Sequence, residues 1–231
     1  MTAHAAARQA AATHHTGDPT GHPTGQRQRA ADAVIHGIGI AGAVVGVPLL
    51  VLLVMARGET LPTVAAVAYG ASLVLTLALS GAYNLLAEGP KKEQLRPYDH
   101  AAIFLLIAGT YTPFALVAIG GALGYGLCAA VWVGALTGAA LKLLHRRRYE
   151  RIFIPLYLAL GWVGVPVLIV GMPALSLPAF GFLLAGGLLY TAGVPFHLRE
   201  SLPYSTAIWH GFVLMAAACH YLSVLETLAP L

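Results

Sequence analysis

The sequence predicts an all-α protein, a bundle of seven transmembrane helices with its N-terminus in the cytoplasm and its C-terminus outside. Three observations predict it. Of 231 residues, 58% are hydrophobic and 10% charged, against about 25% charged in a soluble domain. Seven apolar segments follow one another, each long enough to cross a bilayer. The basic residues divide unevenly between the two sets of loops.

Residues 1–31 are Ala, Thr, Gly, Gln and His without hydrophobic period and read as a disordered polar tail. No apolar h-region follows a basic start, so the tail does not read as a signal peptide. Its His4, His14, His15 and His22 read as a solvated low-complexity tract rather than a metal site. Residues 32–231 form the membrane domain. Its expected spans are His36–Ala56, Leu61–Ala87, Tyr98–Ile119, Leu123–Leu144, Ile152–Gly171, Leu177–Phe196 and Tyr204–Leu228. About 20 helical residues cover roughly 30 Å of hydrocarbon. An open sheet would leave backbone groups unpaired in lipid, and the alternation of a membrane barrel is absent.

Twelve of the thirteen Lys and Arg fall in the tail and in or around the loops after the second, fourth and sixth spans; Arg57 alone is on the other side. That bias orients the N-terminus inward. The formal charge of +4 therefore reflects topology, not nucleic-acid binding. The expected partners are membrane lipids, and the expected place is the cell membrane. Cys128 and Cys219 lie within apolar runs and read as buried reduced thiols. Gly42/Gly46 and Gly134/Gly138 have the spacing of close helix contacts. Pro48, Pro113, Pro155 and Pro166 are expected to kink their spans, with Thr110 and Thr112 near Pro113 satisfying freed backbone groups. Trp209 reads as an interface anchor or a packing residue, Trp132 and Trp162 as packing.

The topology gathers the polar residues of the spans in one leaflet. His36 opens the first span, Ser80 and Asn84 end the second, Asp99 and His100 open the third, and Thr206 and His210 start the seventh. Ser80 and Asn84, and likewise Thr206 and His210, are four apart and share a helix face. An ionisable group within a span costs about 2.5–3.5 kcal/mol on insertion scales, so it faces the bundle interior and needs partners. His36 alone reads as a capping or snorkelling residue. His220, ten residues beyond His210, belongs to another layer, and His197 reads as a loop residue. Asp99, His100 and His210 could form a triad, but His100 lies about 100° around the helix from Asp99.

The pattern resembles the hemolysin III family, bacterial relatives of the progestin and adipoQ receptors. The pieces that carry it are Ile35–Gly39, Ser80–Asn84, the specific run Asp99–Phe114, Gly161–Trp162, Gly186–Gly193 and Ala207–His210 through His220–Tyr221. The resemblance covers residues 32–228. It implies seven helices, a cytoplasmic N-terminus and a zinc site near the cytoplasmic side, with one histidine from the second span and two from the seventh. It also implies assistance from an aspartate and a serine, here Asp99 and Ser80, as in membrane amide hydrolases of the alkaline ceramidase type. The sequence departs from that pattern: Asn84 and Thr206 occupy two ligand positions, and His210 alone of the three remains. Zinc prefers imidazole, thiolate or carboxylate donors, which leaves zinc doubtful. Three functions follow. The first is a metal-free or metal-weak member with a structural, regulatory or lipid-homeostasis role. The second is a zinc-dependent lipid amide hydrolase with altered ligands. The third is a cytolysin, pore or transporter.

Overall fold

The computed structural model describes residues 23–145, 150–166, 175–199 and 201–230. The tail histidines fall outside these residues, as do Arg8, Arg146, Arg147, Arg148 and the end of the fifth expected span. The described residues contain seven main helices: α1 (Pro23–Met55), α2 (Thr60–Leu85), α3 (Pro90–Pro113), α4 (Gly121–Leu144), α5 (Glu150–Trp162), α6 (Leu177–Leu198) and α7 (Ser205–Leu228). Six are long and apolar enough to cross a membrane, and α5 contributes a shorter apolar helix, Ile152–Trp162. Both cysteines are free.

Local chemistry sets the helix ends. Ser176 caps α6 by accepting the backbone N–H of Ala179 at 3.2 Å, with a proline in the first turn. Pro90 opens α3, and Glu93 lies in its first turn. At Pro113 the helix loosens into a π-helical stretch, Phe114–Ile119. The Thr112 hydroxyl donates to the Ala108 carbonyl at 2.8 Å and accepts from the Trp132 indole N–H at 3.0 Å. Gly120 and Gly121, at φ +62° and +59°, then turn the chain sharply into α4. At the start of α1, nine residues of the stretch read as tail are helical, which brings Asp32 into the helix one turn before His36.

α3 is the central helix. It packs on α2, α4, α5 and α7, while α7 packs on α6 and closes against α1. Phe104 of α3 and Phe114 at the start of the π-helical stretch are fully buried, in one core cluster with Tyr69 and Leu73 of α2 and Val131 and Ala135 of α4. Outward faces are apolar: Val45 and Leu52 on α1 and Val133 on α4 are each more than 60% exposed, as lipid contact requires. α2 and α3 approach closely at Gly109, where a Cβ would collide with Ser72 and lie 3.3 Å from the Ala68 carbonyl oxygen. Of the expected small-residue contacts, Gly46 sits against Tyr221 and Gly138 against Phe104, whereas Gly42 faces open space. At the end remote from the polar residues, Arg57 donates to the Pro230 carbonyl at 2.9 Å.

Candidate functional site

One turn of α1 supplies the first part of the site. Asp32 and His36, four apart, share the face that turns toward α7, and both are buried, at 7% and 5% exposure. His210, in the second turn of α7, meets them there. Its Nδ1 lies 2.5 Å from an Asp32 carboxylate oxygen, and its ring stands edge-on to His36 with centroids 4.5 Å apart. α2 adds Ser80, whose Oγ is 3.2 Å from His36 Nε2. Asn84 donates from Nδ2 to the Ser80 carbonyl at 2.9 Å and to Ser80 Oγ at 3.3 Å. The result is a continuous chain of contacts, Asn84–Ser80–His36–Asp32–His210, from three helices.

These contacts assign protons. His36 Nδ1 faces the Asp32 backbone carbonyl at 2.9 Å and its carboxylate at 3.7 Å. Both are acceptors, so Nδ1 carries hydrogen, and in the neutral ring Nε2 accepts from Ser80. Ser80 is also a side-chain hydrogen-bond partner of Asp99. One hydroxyl proton cannot serve His36 and Asp99 together, so Ser80 stands at a fork between an imidazole and a buried carboxyl.

Asp32, His36 and His210 each offer one ligand atom within 4.8 Å of the others. One carboxylate and two imidazoles are a zinc-type donor set, and three protein ligands are what a catalytic site supplies. Ligand atoms about 2.0–2.1 Å from a tetrahedral ion lie roughly 3.3 Å apart. The 3.7 Å separation is close to this; the 2.5 Å one is a hydrogen bond and opens if an ion enters. The donor set therefore fits a metal if the Asp32 carboxylate rotates and His36 Nδ1 gives up its hydrogen and its bond to the Asp32 carbonyl.

A cavity of about 750 Å³ reaches this cluster, within the range of small-molecule and cofactor sites. His36, Ser80, Asn84, Asp99, His100, Thr206 and His210 all line it. Seven residues predicted from distant segments thus share one wall system, but in unequal roles. Asn84 acts through Ser80 and is not among the donors. Thr206 is exposed on the first turn of α7. Asp99, 7% exposed, neighbours Ser80, His210 and Lys142. His100 faces Tyr83, with ring centroids 6.4 Å apart, and its carbonyl accepts from Tyr157. Asp99 thus turns to Ser80 and His210 while the His100 ring turns to Tyr83, with Lys142 within electrostatic range of both.

Several single-residue readings change. His36 is a buried member of the cluster, not a snorkelling residue. His197 ends α6 rather than lying in a loop, with its ring 5.0 Å from Trp209. Trp209 packs on Gly193 inside the bundle. His220 is structural: Nε2 lies 3.2 Å from the Leu183 carbonyl and the ring lies beside Tyr190. Asp32 lies one turn before the apolar run that sets the expected span boundary at His36, although the helix itself starts at Pro23. The available signal was an acid and a histidine four apart at a helix start.

The fold and this centre define an integral membrane protein that carries a buried polar cluster beside an internal cavity. The sequence profile described as Haemolysin-III related matches residues 27–221, and the chain belongs to the hemolysin III family. It is 37% identical to "Hemolysin-3" of Bacillus cereus over 208 residues, covering 88% of this chain and 93% of the relative. It is 33% identical over 199 residues to "Hemolysin-3 homolog" of Bacillus subtilis (strain 168), with 86% and 93% coverage. "Monocyte to macrophage differentiation factor" of Homo sapiens is 28% identical over 205 residues, with 85% and 83% coverage.

Proposed function

We propose that this protein is a membrane-embedded, metal-dependent hydrolase that cleaves an amide or ester bond in a lipid. One observation carries the reading: three metal-type donors from the first and last helices converge beside a cavity large enough for a lipid head and upper chains. Asp32, His36 and His210 would hold the ion. When bound, such an ion supplies Lewis acidity toward a carbonyl and an acidified water. Asp99 is the carboxyl we assign to proton transfer, since it lines the cavity beside the cluster. With an ion on His36 Nδ1, Nε2 would carry the ring hydrogen and donate to Ser80 Oγ, which leaves the Ser80 hydroxyl to donate to Asp99. The apolar walls keep bulk water away, which strengthens every charge interaction inside.

Metal analysis of purified full-length protein tests this reading. Stoichiometric zinc, lost in His36→Ala and in His210→Ala, is the expected result. Folded protein without bound metal would overturn it. That outcome would select a second reading, a metal-free cluster with a structural or regulatory role. The 2.5 Å contact between His210 and Asp32 favours this alternative, because it satisfies the carboxylate within the protein.

A further inference from the structure

The cavity that reaches the donor cluster has a second polar layer deeper in the bundle. On α7, His210, Val213, Leu214, Ala217 and His220 all line it. One face of that helix thus runs from the donor cluster to a second histidine, about 15 Å further along. On α3, Thr110 lines the cavity about 16 Å beyond Asp99. Tyr190 of α6 belongs to the same deep layer, with its ring 5.5 Å from that of His220. Between the two polar layers the lining is hydrocarbon, with Leu73, Leu77, Ile103 and Ile107.

The deep layer holds hydrogen-bonding capacity that the protein does not fill. His220 commits Nε2 to the Leu183 carbonyl at 3.2 Å, so Nε2 carries the ring hydrogen and Nδ1 remains an acceptor. The hydroxyls of Thr76, Tyr111 and Thr191 also line the cavity, and each donates to a backbone carbonyl. The Tyr190 hydroxyl makes no such bond among the described residues. Tyr69, within electrostatic range of Tyr190, has the one fully buried side-chain polar atom among the described residues that lacks a partner. Tyr190 Oη and His220 Nδ1 are not closed off in that way and open onto the cavity that their residues line. A plain acyl chain laid along this cavity would strand both atoms against hydrocarbon, which is costly. A hydroxyl on the chain satisfies both, because it accepts from Tyr190 and donates to His220; a ketone only accepts.

An extended hydrocarbon advances about 1.25 Å per carbon, so the separation of about 15 Å corresponds to roughly 12 carbons. We propose that the cavity selects a lipid whose acyl chain carries a mid-chain hydroxyl, about 12 carbons from the scissile carbonyl, with the hydroxyl held between Tyr190 and His220. The carbon count rests on the hydrolase reading, which seats the carbonyl at Asp32, His36 and His210. The preference for a hydroxylated chain does not depend on it. A site that hydrogen-bonds a substrate hydroxyl discriminates against the analogue lacking it, because its own polar groups are then left unpaired.

Full-length protein in detergent micelles, quenched by stearate brominated at mid-chain, tests the proposal by competition. Trp162 lines the cavity and packs on Gly187, one turn from Tyr190, so the quenching lost in Trp162→Phe is the cavity signal. Stearate hydroxylated at about carbon 12 is expected to displace the brominated acid at about tenfold lower mole fraction than plain stearate or stearate hydroxylated beside its carboxylate. Tyr190→Phe removes only a hydroxyl without a protein partner, so the unfolding midpoint is expected to stay while the preference falls severalfold. His220→Leu gives the same reading if Tyr190→Phe does not fold. Equal displacement by the three acids would overturn the proposal and leave the layer to water. A preference that both substitutions leave intact, or that the acid hydroxylated beside its carboxylate shares, would overturn it as well. In His210→Asn the preference for the mid-chain hydroxyl over the plain chain is expected to persist. Absent metal with that preference intact therefore counts against the hydrolase reading and not against this site.

Discussion

His210, in the last helix, meets Asp32, in the first, with its Nδ1 2.5 Å from a carboxylate oxygen across 178 residues of chain. Asp32 is buried and His210 half-buried, and removing either takes from the other its shortest side-chain contact. Asp32→Ala and His210→Ala are therefore expected to be strongly non-additive. A double-mutant cycle by thermal unfolding in detergent should give a coupling of about 1–2 kcal/mol. Additive single effects would mean that the contact adds nothing to the bundle.

Introducing imidazole at the two departed positions tests how well the frame is kept. Asn84 is one hydrogen bond removed from His36 through Ser80, whereas Thr206 is exposed. Asn84→His is expected to raise zinc affinity by about tenfold, the scale of one added ligand interaction. Thr206→His is expected to add less. Competition with a chromogenic chelator measures both, and an unchanged affinity in the double variant would show that the geometry as well as the residues has changed.

The contact of α2 with α3 depends on the missing side chain at Gly109. Gly109→Ala drives a methyl into Ser72 and toward the Ala68 carbonyl. A loss of about 1–3 kcal/mol is expected, with partial recovery in Gly109→Ala/Ser72→Gly. Failure of the second change to recover stability would locate the cost elsewhere.

Thr112 joins α3 to α4 by accepting from Trp132 while donating to Ala108. Thr112→Val keeps the shape and orphans a half-buried indole N–H. The expected cost is about 1–3 kcal/mol, and Thr112→Val/Trp132→Phe should cost less than the single change.

Vesicle leakage addresses the pore reading. Phe104 of α3 and Phe114 just beyond it are fully buried in the core, so reconstituted protein is expected to leave dye-loaded vesicles intact. Release in proportion to protein added would revive that reading.

Much of the fold was legible because the bilayer is a severe solvent. Length, apolarity and unpaired backbone cost together admit little besides a helix for the spans. The gathering of Ser80, Asn84, Asp99 and His210 at one cavity was also legible, because topology returns alternate span ends to the same leaflet. Pairing within that layer was not legible. Spacing of four relates residues on one helix, but Asp32 to His210 depends on how α1 closes against α7. Lys142 shows the same limit in another form. It was counted among loop charges, yet a single side-chain direction separates a topology signal from a buried cation, and sequence carries no information on that direction. Asp32 itself lies in a polar opening stretch of α1 that carries no apolar run to mark it as part of a span.

The closure of α1 against α7 has a consequence for biogenesis. Asp32 and His36 leave the ribosome well before His210, which follows Asp32 by 178 residues. An ion or ligand that requires all three cannot be captured until the seventh helix has entered the bilayer and docked. A truncated or misinserted chain would carry two of the donors in the absence of the third. The centre thus distinguishes a finished molecule from an unfinished one, and any occupant that stabilises it would stabilise only chains whose insertion is complete.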